Sequence, residues 1–136
     1  MIIDSQLELS NAQALTATAA STNYIDMSVA GDANRSLRLV IQVSTVLDSD
    51  GDAATLDVTI QTDTVANFAS PTTIATIAQI AEATLVAGYR ICNIEIPPEV
   101  CQRYLRVYYT VGTENFTSGN VDAFLTFDAQ TNENPS

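Results

Sequence analysis

Leu105-Arg106-Val107-Tyr108-Tyr109-Thr110-Val111 is the stretch that decides the fold. Leu105, Val107, Tyr109 and Val111 alternate with Tyr104, Arg106, Tyr108 and Thr110. Successive side chains of an extended strand point to opposite faces, so this run buries one row and presents the other. Downstream, Val121, Ala123, Leu125 and Phe127 alternate with Asp122, Phe124, Thr126 and Asp128. Upstream, the same period of two runs through Leu37, Leu39, Ile41 and Val43, through Leu56, Val58 and Ile60, and through Cys92, Ile94 and Ile96. Seventeen threonines among the residues favour strands, because a branched Cβ is stiff in a helix. Five alternating runs closed by turn residues predict an all-β chain, an antiparallel β-sandwich or jelly roll with an extended N-terminal segment.

Outside those runs the pattern weakens. Short strands are expected at Ile2–Leu9 and Tyr24–Met27, with residues 10–23 as an extended connection lying on the domain. From Thr72 to Ala87 the signals conflict: Ile74, Ile77, Ala78, Ala81 and Leu85 have helical spacing, while four threonines oppose a helix. A short strand near Ile74–Ile77 and an irregular passage to Gly88 is the reading adopted, with a short helix as the alternative. Residues 1–128 are read as one domain that includes an arm over 1–23, and residues 129–136 as a flexible acidic tail.

Composition narrows the function. The 136 residues carry 16 acids against 5 bases, a formal charge of −11, and all five bases are arginine. Histidine, lysine and tryptophan are absent. That excludes a Ser-His-Asp triad, a histidine metal ligand, a Walker lysine and Schiff-base chemistry. A strongly acidic chain is repelled by phosphate backbones and anionic membranes, so neither nucleic acid nor membrane is an expected partner. The opening Met-Ile-Ile-Asp-Ser-Gln-Leu lacks a basic n-region, and no stretch reaches the ~18 apolar residues of a spanning helix. Synthesis in a cytosol is expected. Cys92 and Cys101 lack metal-cluster spacing and flank Pro97-Pro98, so a disulfide is geometrically possible while a cytosolic origin argues for free thiols.

Two constellations invite a functional reading. Asp48, Asp50 and Asp52 place three carboxylates in five residues, which suits an oxygen-seeking cation such as calcium. Counted from Asp48, the sixth and twelfth positions of an EF-hand loop fall on Ala53 and Thr59, so that pattern fails. A hairpin turn at Asp50-Gly51 is the stronger reading. No pair of acids is singled out for glycoside hydrolysis, and the chain is not read as an enzyme. The second constellation is an outward row that is not polar. If the strands around Leu105 and Leu125 form a hairpin about Phe116, Tyr108 lies opposite Phe124 and Arg106 opposite Thr126. Tyr104, Arg106, Tyr108 and Phe124 then make an interface-type patch, covered either by a partner or by the chain's own N-terminal arm. Val40 and Val46 also fall on an outward row, which a second sheet or the arm would cover.

Residues 1–15 (Met-Ile-Ile-Asp-Ser-Gln-Leu-Glu-Leu-Ser-Asn-Ala-Gln-Ala-Leu), 21–27 (Ser-Thr-Asn-Tyr-Ile-Asp-Met), 66–72 (Ala-Asn-Phe-Ala-Ser-Pro-Thr) and 103–112 (Arg-Tyr-Leu-Arg-Val-Tyr-Tyr-Thr-Val-Gly) carry a resemblance. In texture and order the chain resembles the cement, or decoration, proteins of tailed-phage capsids, of the Bordetella-phage type, from residue 1 to about 128. The resemblance implies a jelly-roll domain on the outer capsid surface, made in the host cytoplasm. It also implies a dimer that clamps the major capsid protein, without cofactor or catalytic residue. A carbohydrate-binding β-sandwich module, or another head or tail accessory protein, is the alternative.

Overall fold

The computed structural model describes residues 8–26, 37–96 and 102–126. Their strands are β1 (Glu8–Ala14), β2 (Ala19–Ala20), β3 (Ile25–Asp26), β4 (Leu37–Ser49), β5 (Thr55–Asp63), β6 (Thr72–Ala81), β7 (Arg90–Ile96), β8 (Tyr104–Gly112) and β9 (Phe116–Thr126). One antiparallel sheet has the order β1-β9-β4-β7. The other has the order β2-β8-β5-β6, with β3 following β2 along the same side of β8. The alternation explains how they meet. Leu39, Ile41, Val43, Val121, Ala123 and Leu125 of the first sheet share one buried cluster with Leu56, Val58, Ile60, Leu105, Val107 and Tyr109 of the second. Two apolar faces closing on each other remove both from water, the largest favourable contribution to such a fold.

A polar thread joins the sheets inside this core. The Ser10 hydroxyl on β1 donates to Gln13 Oε1 at 2.7 Å, so Tyr109 on β8 is the donor in its 3.0 Å bond to Ser10 Oγ. Gln13 in turn holds Ala20 O and Thr22 N, which fastens β1 to β2 and the turn after it. Burial raises the Tyr109 pKa strongly, so the phenol remains a donor.

Several expectations are corrected here. The N-terminal connection is more structured than its composition suggests: β1 continues to Ala14, and Ala19–Ala20 pair with Tyr108 and Tyr109. The ambiguous stretch is a ten-residue strand, β6, followed by one 3-10 turn at Glu82–Thr84. Asp50-Gly51 does form a turn, but not a hairpin, because β4 and β5 lie in different sheets. Val40 is fully buried, whereas Val46 is exposed. The arm before Glu8, Cys101 and the tail lie outside the described residues.

Only β5 and β6 form a hairpin between sequence neighbours among the described strands. The connections β4–β5, β6–β7 and β8–β9 each change sheets, and all three are tied at one end. The Ser49 backbone N–H donates to Glu82 Oε1 at 2.5 Å. Ser49 Oγ lies 2.6 Å from a carboxylate oxygen of Glu82 and of Glu114. Glu114 also accepts the N–H groups of Gly51 and Ala53, both at 3.0 Å. A Cβ on Gly51 would stand 2.7 Å from Glu114 Oε2, so glycine makes room for that carboxylate.

Gly119 on β9 meets a harder constraint. Its φ is +122°, and an added Cβ would lie 2.6 Å from Leu47 Cα and 2.7 Å from Val46 O. Gly119→Ala should therefore cost about 2 kcal/mol or more, since backbone cannot yield as a side chain can. Tyr109→Phe should cost about 1–2 kcal/mol by removing one buried bond. Denaturant melts of both variants test this ranking, and a Gly119→Ala protein as stable as the parent would contradict the close approach of β9 to β4.

Candidate interaction surface

The outward row of β8 faces away from the core, and β5 supplies its neighbours. Tyr104 pairs with Asp63, Arg106 with Gln61 and Tyr108 with Thr59. Arg106 Nε donates to Gln61 Oε1 at 2.8 Å, a bond across the ladder. Its guanidinium carbon sits 4.3 Å from the Phe68 ring centroid and 5.3 Å from that of Tyr108. A guanidinium held between two rings gains from their negative faces. Partial burial lowers the Arg106 pKa, opposed by Tyr108 and Asp63, and the group remains a cation. Tyr24 packs edge-on against Phe68 and Tyr104, with centroids 6.2 and 5.4 Å away. Arg103 caps the row, 5.0 Å from the Tyr104 centroid and bonded through two nitrogens to Asp26 at 3.0 and 3.1 Å. That pair is exposed and adds little stability. Asp26 does hold the Arg103 pKa up through its hydrogen bond and charge.

Phe68 reaches this row because Asp63 orders the loop between β5 and β6. One Asp63 oxygen accepts Thr64 N at 2.6 Å and the other Ser70 N at 3.0 Å. Asn67 closes the loop tip by accepting Ala69 N at 3.1 Å. Phe68 takes φ +50° and is only 6% exposed, whereas Tyr24 is 49% exposed. Phe68 thus supports Arg106 from the side, and Tyr24 forms the outer rim.

Three of the four residues expected in the patch therefore share one face, and Phe124 does not. The expected hairpin about Phe116 is not formed, because residues 113–115 carry the chain from one sheet to the other. Arg106 and Tyr108 pair with β5 instead, Thr126 pairs with Arg38, and Phe124 stands between Glu8 and Val40. Phe124 is 1% exposed and lies outside the central cluster. Tyr24 and Phe68 join the surface without any alternation to announce them. The available signal was an aromatic residue inside a turn-rich loop, Ala66-Asn67-Phe68-Ala69-Ser70-Pro71.

The acidic corner is rearranged too. Asp48 and Asp52 come together, but their third member is Glu82 rather than Asp50, and ligand oxygens of the three lie within 4.8 Å of one another. The Asp48 pKa is raised, first by a hydrogen bond with Glu82, then by desolvation and by the charges of Glu82 and Asp52. The Glu114 pKa is lowered by the Ser49 hydroxyl and by the Ala53 and Gly51 N–H groups. The carboxylates of Glu82 and Glu114 act here as acceptors that hold crossings of the chain. Cys92 is a free, buried thiol whose pKa burial pushes up to about 11, so it is a poor nucleophile at neutral pH.

Asp63 makes the surface sensitive to acid. Desolvation raises its pKa, but the N–H groups of Ser70, Thr64 and Val65 outweigh that and leave it lowered. A lowered folded value means the loop gains stability above the ordinary aspartate value of 3.8 and loses it as pH falls through the folded value. In an NMR titration, the Phe68 and Tyr24 ring signals should hold steady above 3.8 and move toward free-ring positions below it. Asp63→Asn should show the displaced signals already at neutral pH. Unmoved rings in that variant would show that Asp63 does not order the loop.

No helix of the described residues is long and apolar enough to cross a membrane. No curated protein matches the chain. The sequence model of the Bbp16 family matches residues 9–125, which spans every described strand except its outermost residues at either end. With that match over most of its length, the chain belongs to the Bbp16 family, a family of Bordetella phage proteins.

Proposed function

We propose that this phage structural protein is a non-catalytic cement: it binds the outside of the capsid and bridges neighbouring major capsid proteins. Family membership supports a virion part, and the aromatic-arginine face of the second sheet supports a binding role. That face is the observation that carries the reading. Tyr24, Tyr104, Arg106 and Tyr108 are interface-type residues, and Phe68 and Gln61 already hold Arg106 in place. Ordering Arg106 before contact lowers the entropy that binding must overcome. A charge of −11 is tolerated on the outside of a head, whereas packaged DNA would repel it. A contact of roughly 800 Å² per partner suffices for micromolar to nanomolar affinity. Two copies acting as a dimer would make the second contact intramolecular and multiply that affinity.

Purified protein co-sedimented with undecorated heads should bind saturably at hundreds of copies per particle, and decorated heads should survive heating better. Tyr104→Asp and Tyr108→Asp should keep the circular dichroism and melting profile of the parent while losing at least tenfold in head affinity. Unimpaired binding by both variants would move the interface elsewhere, and absence of saturable binding by the parent would remove the cement reading altogether.

A further inference from the structure

A sheet edge presents unpaired N–H and C=O groups, a template for another strand. Among the described residues this sandwich has four such edges, and they are managed differently. β2 and β3 are two residues each. β7 is short and carries Arg90 and Glu95. β1 matches β7 in length but carries a single charge, Glu8, and β6 runs ten residues, Thr72–Ala81, without a charged side chain. Both edges carry bulges, as β7 does opposite Ile41–Gln42. The pairing of β1 with β9 shifts register between Ser10 and Gln13, and that of β6 with β5 shifts opposite Leu56–Val58.

One bulge on β1 and one on β6 share a construction. Five non-glycine residues have positive φ among the described residues, and only Ala12 and Gln79 of these lie inside strands. Ala12, on β1, has φ +48° and donates its N–H to Asp122 Oδ1 at 2.6 Å. Gln79, on β6, has φ +52° and donates its N–H to Asp57 Oδ1 at 2.7 Å. Each aspartate stands on the inner strand that pairs with its bulged edge strand: Asp122 on β9 beside β1 in one sheet, and Asp57 on β5 beside β6 in the other. Left-handed backbone is disfavoured for alanine and glutamine, and a charge-assisted bond to the exposed N–H offsets that strain.

We propose that Asp57 and Asp122 are edge guards: each holds a left-handed bulge in the strand beside it and so keeps that edge from pairing with an edge of a second copy of the chain. Without the carboxylate, the strained residue relaxes toward extended backbone and the ladder becomes continuous. On β6 no charge then opposes pairing with an identical uncharged strand. An aspartate facing outward in a strand reads as ordinary surface acidity, yet here it fixes the conformation of its neighbour.

Sedimentation velocity over a concentration series, with circular dichroism as the check on folding, tests this. Asp57→Ala and Asp122→Ala should stay β-rich and form species on the order of twice the parent's mass or more, growing with concentration. Asp57→Asn and Asp122→Asn retain an acceptor oxygen and should match the parent. Adding Gln79→Gly to Asp57→Ala, or Ala12→Gly to Asp122→Ala, lets the bulge persist without strain and should return the parent's size. The glycine pairs also decide the matter if a single alanine variant fails to fold. Folded alanine variants of unchanged size would overturn the proposal. So would asparagine variants that associate as strongly as the alanine ones, or glycine variants that fail to restore the parent's size.

Discussion

Ser49 closes the sandwich at one end, and the connectivity depends on that closure. Its amide and hydroxyl meet Glu82, which follows β6, and its hydroxyl also meets Glu114, which lies between β8 and β9. Three passages between sheets thereby converge on one residue at the end of β4. A chain that changes sheets must place polar backbone over the edge of an apolar core, and those groups need partners. Glu114 provides them for Gly51 and Ala53. One hydroxyl proton cannot serve two carboxylates at once, and beside them the Asp48 pKa is raised by its hydrogen bond with Glu82, by burial and by the charges of Glu82 and Asp52. The acceptors the fold needs there are Glu82 and Glu114, not the aspartates that look most like a cation loop.

The opposite chemistry gathers on the outer face of the second sheet. There two arginines lie over aromatic rings, and one of them is ordered by an amide partner and two rings at once. Stacked arginine exposes a flat, weakly hydrated cation, which suits a protein partner better than a mobile lysine would. In a chain with so large an acidic excess, this concentrates the positive charge on a firm apolar base. The separation of an acid-lined corner from an arginine-lined face gives the molecule an orientation toward whatever it binds.

Much of the architecture was legible in the sequence, and the rest was not, for one physical reason. Period-two alternation fixes which side of a strand a residue occupies, so Leu39, Val58, Val107 and Ala123 are all placed correctly in the core. It is silent about which strand lies alongside. Phe124 shares the outward parity of Tyr108, yet the two are in different sheets because residues 113–115 cross over. Tyr104, Arg106 and Tyr108 stay together because one strand carries all three. Phe68, Tyr24 and Glu82 come from loops or short elements, where side-chain direction follows from local hydrogen bonds such as those of Asp63 rather than from any repeat. The strand nature of Thr72–Ala81 was half hidden because its bulges break the alternation that would have declared it.

The strand order also sets a timetable. Of the seven pairings among the described strands, only β5–β6 joins neighbours in the sequence. Every other ladder must first close a long loop, which places folding on the order of milliseconds to seconds rather than microseconds. The latest described strand, β9, lies between β1 and β4 at the centre of its sheet. Until residues 116–126 leave the ribosome, β1 has no partner in that sheet and β4 has only β7. The β5–β6 hairpin can form early, but the sandwich can close only once β9 has emerged, so until then the nascent chain must carry its apolar rows exposed.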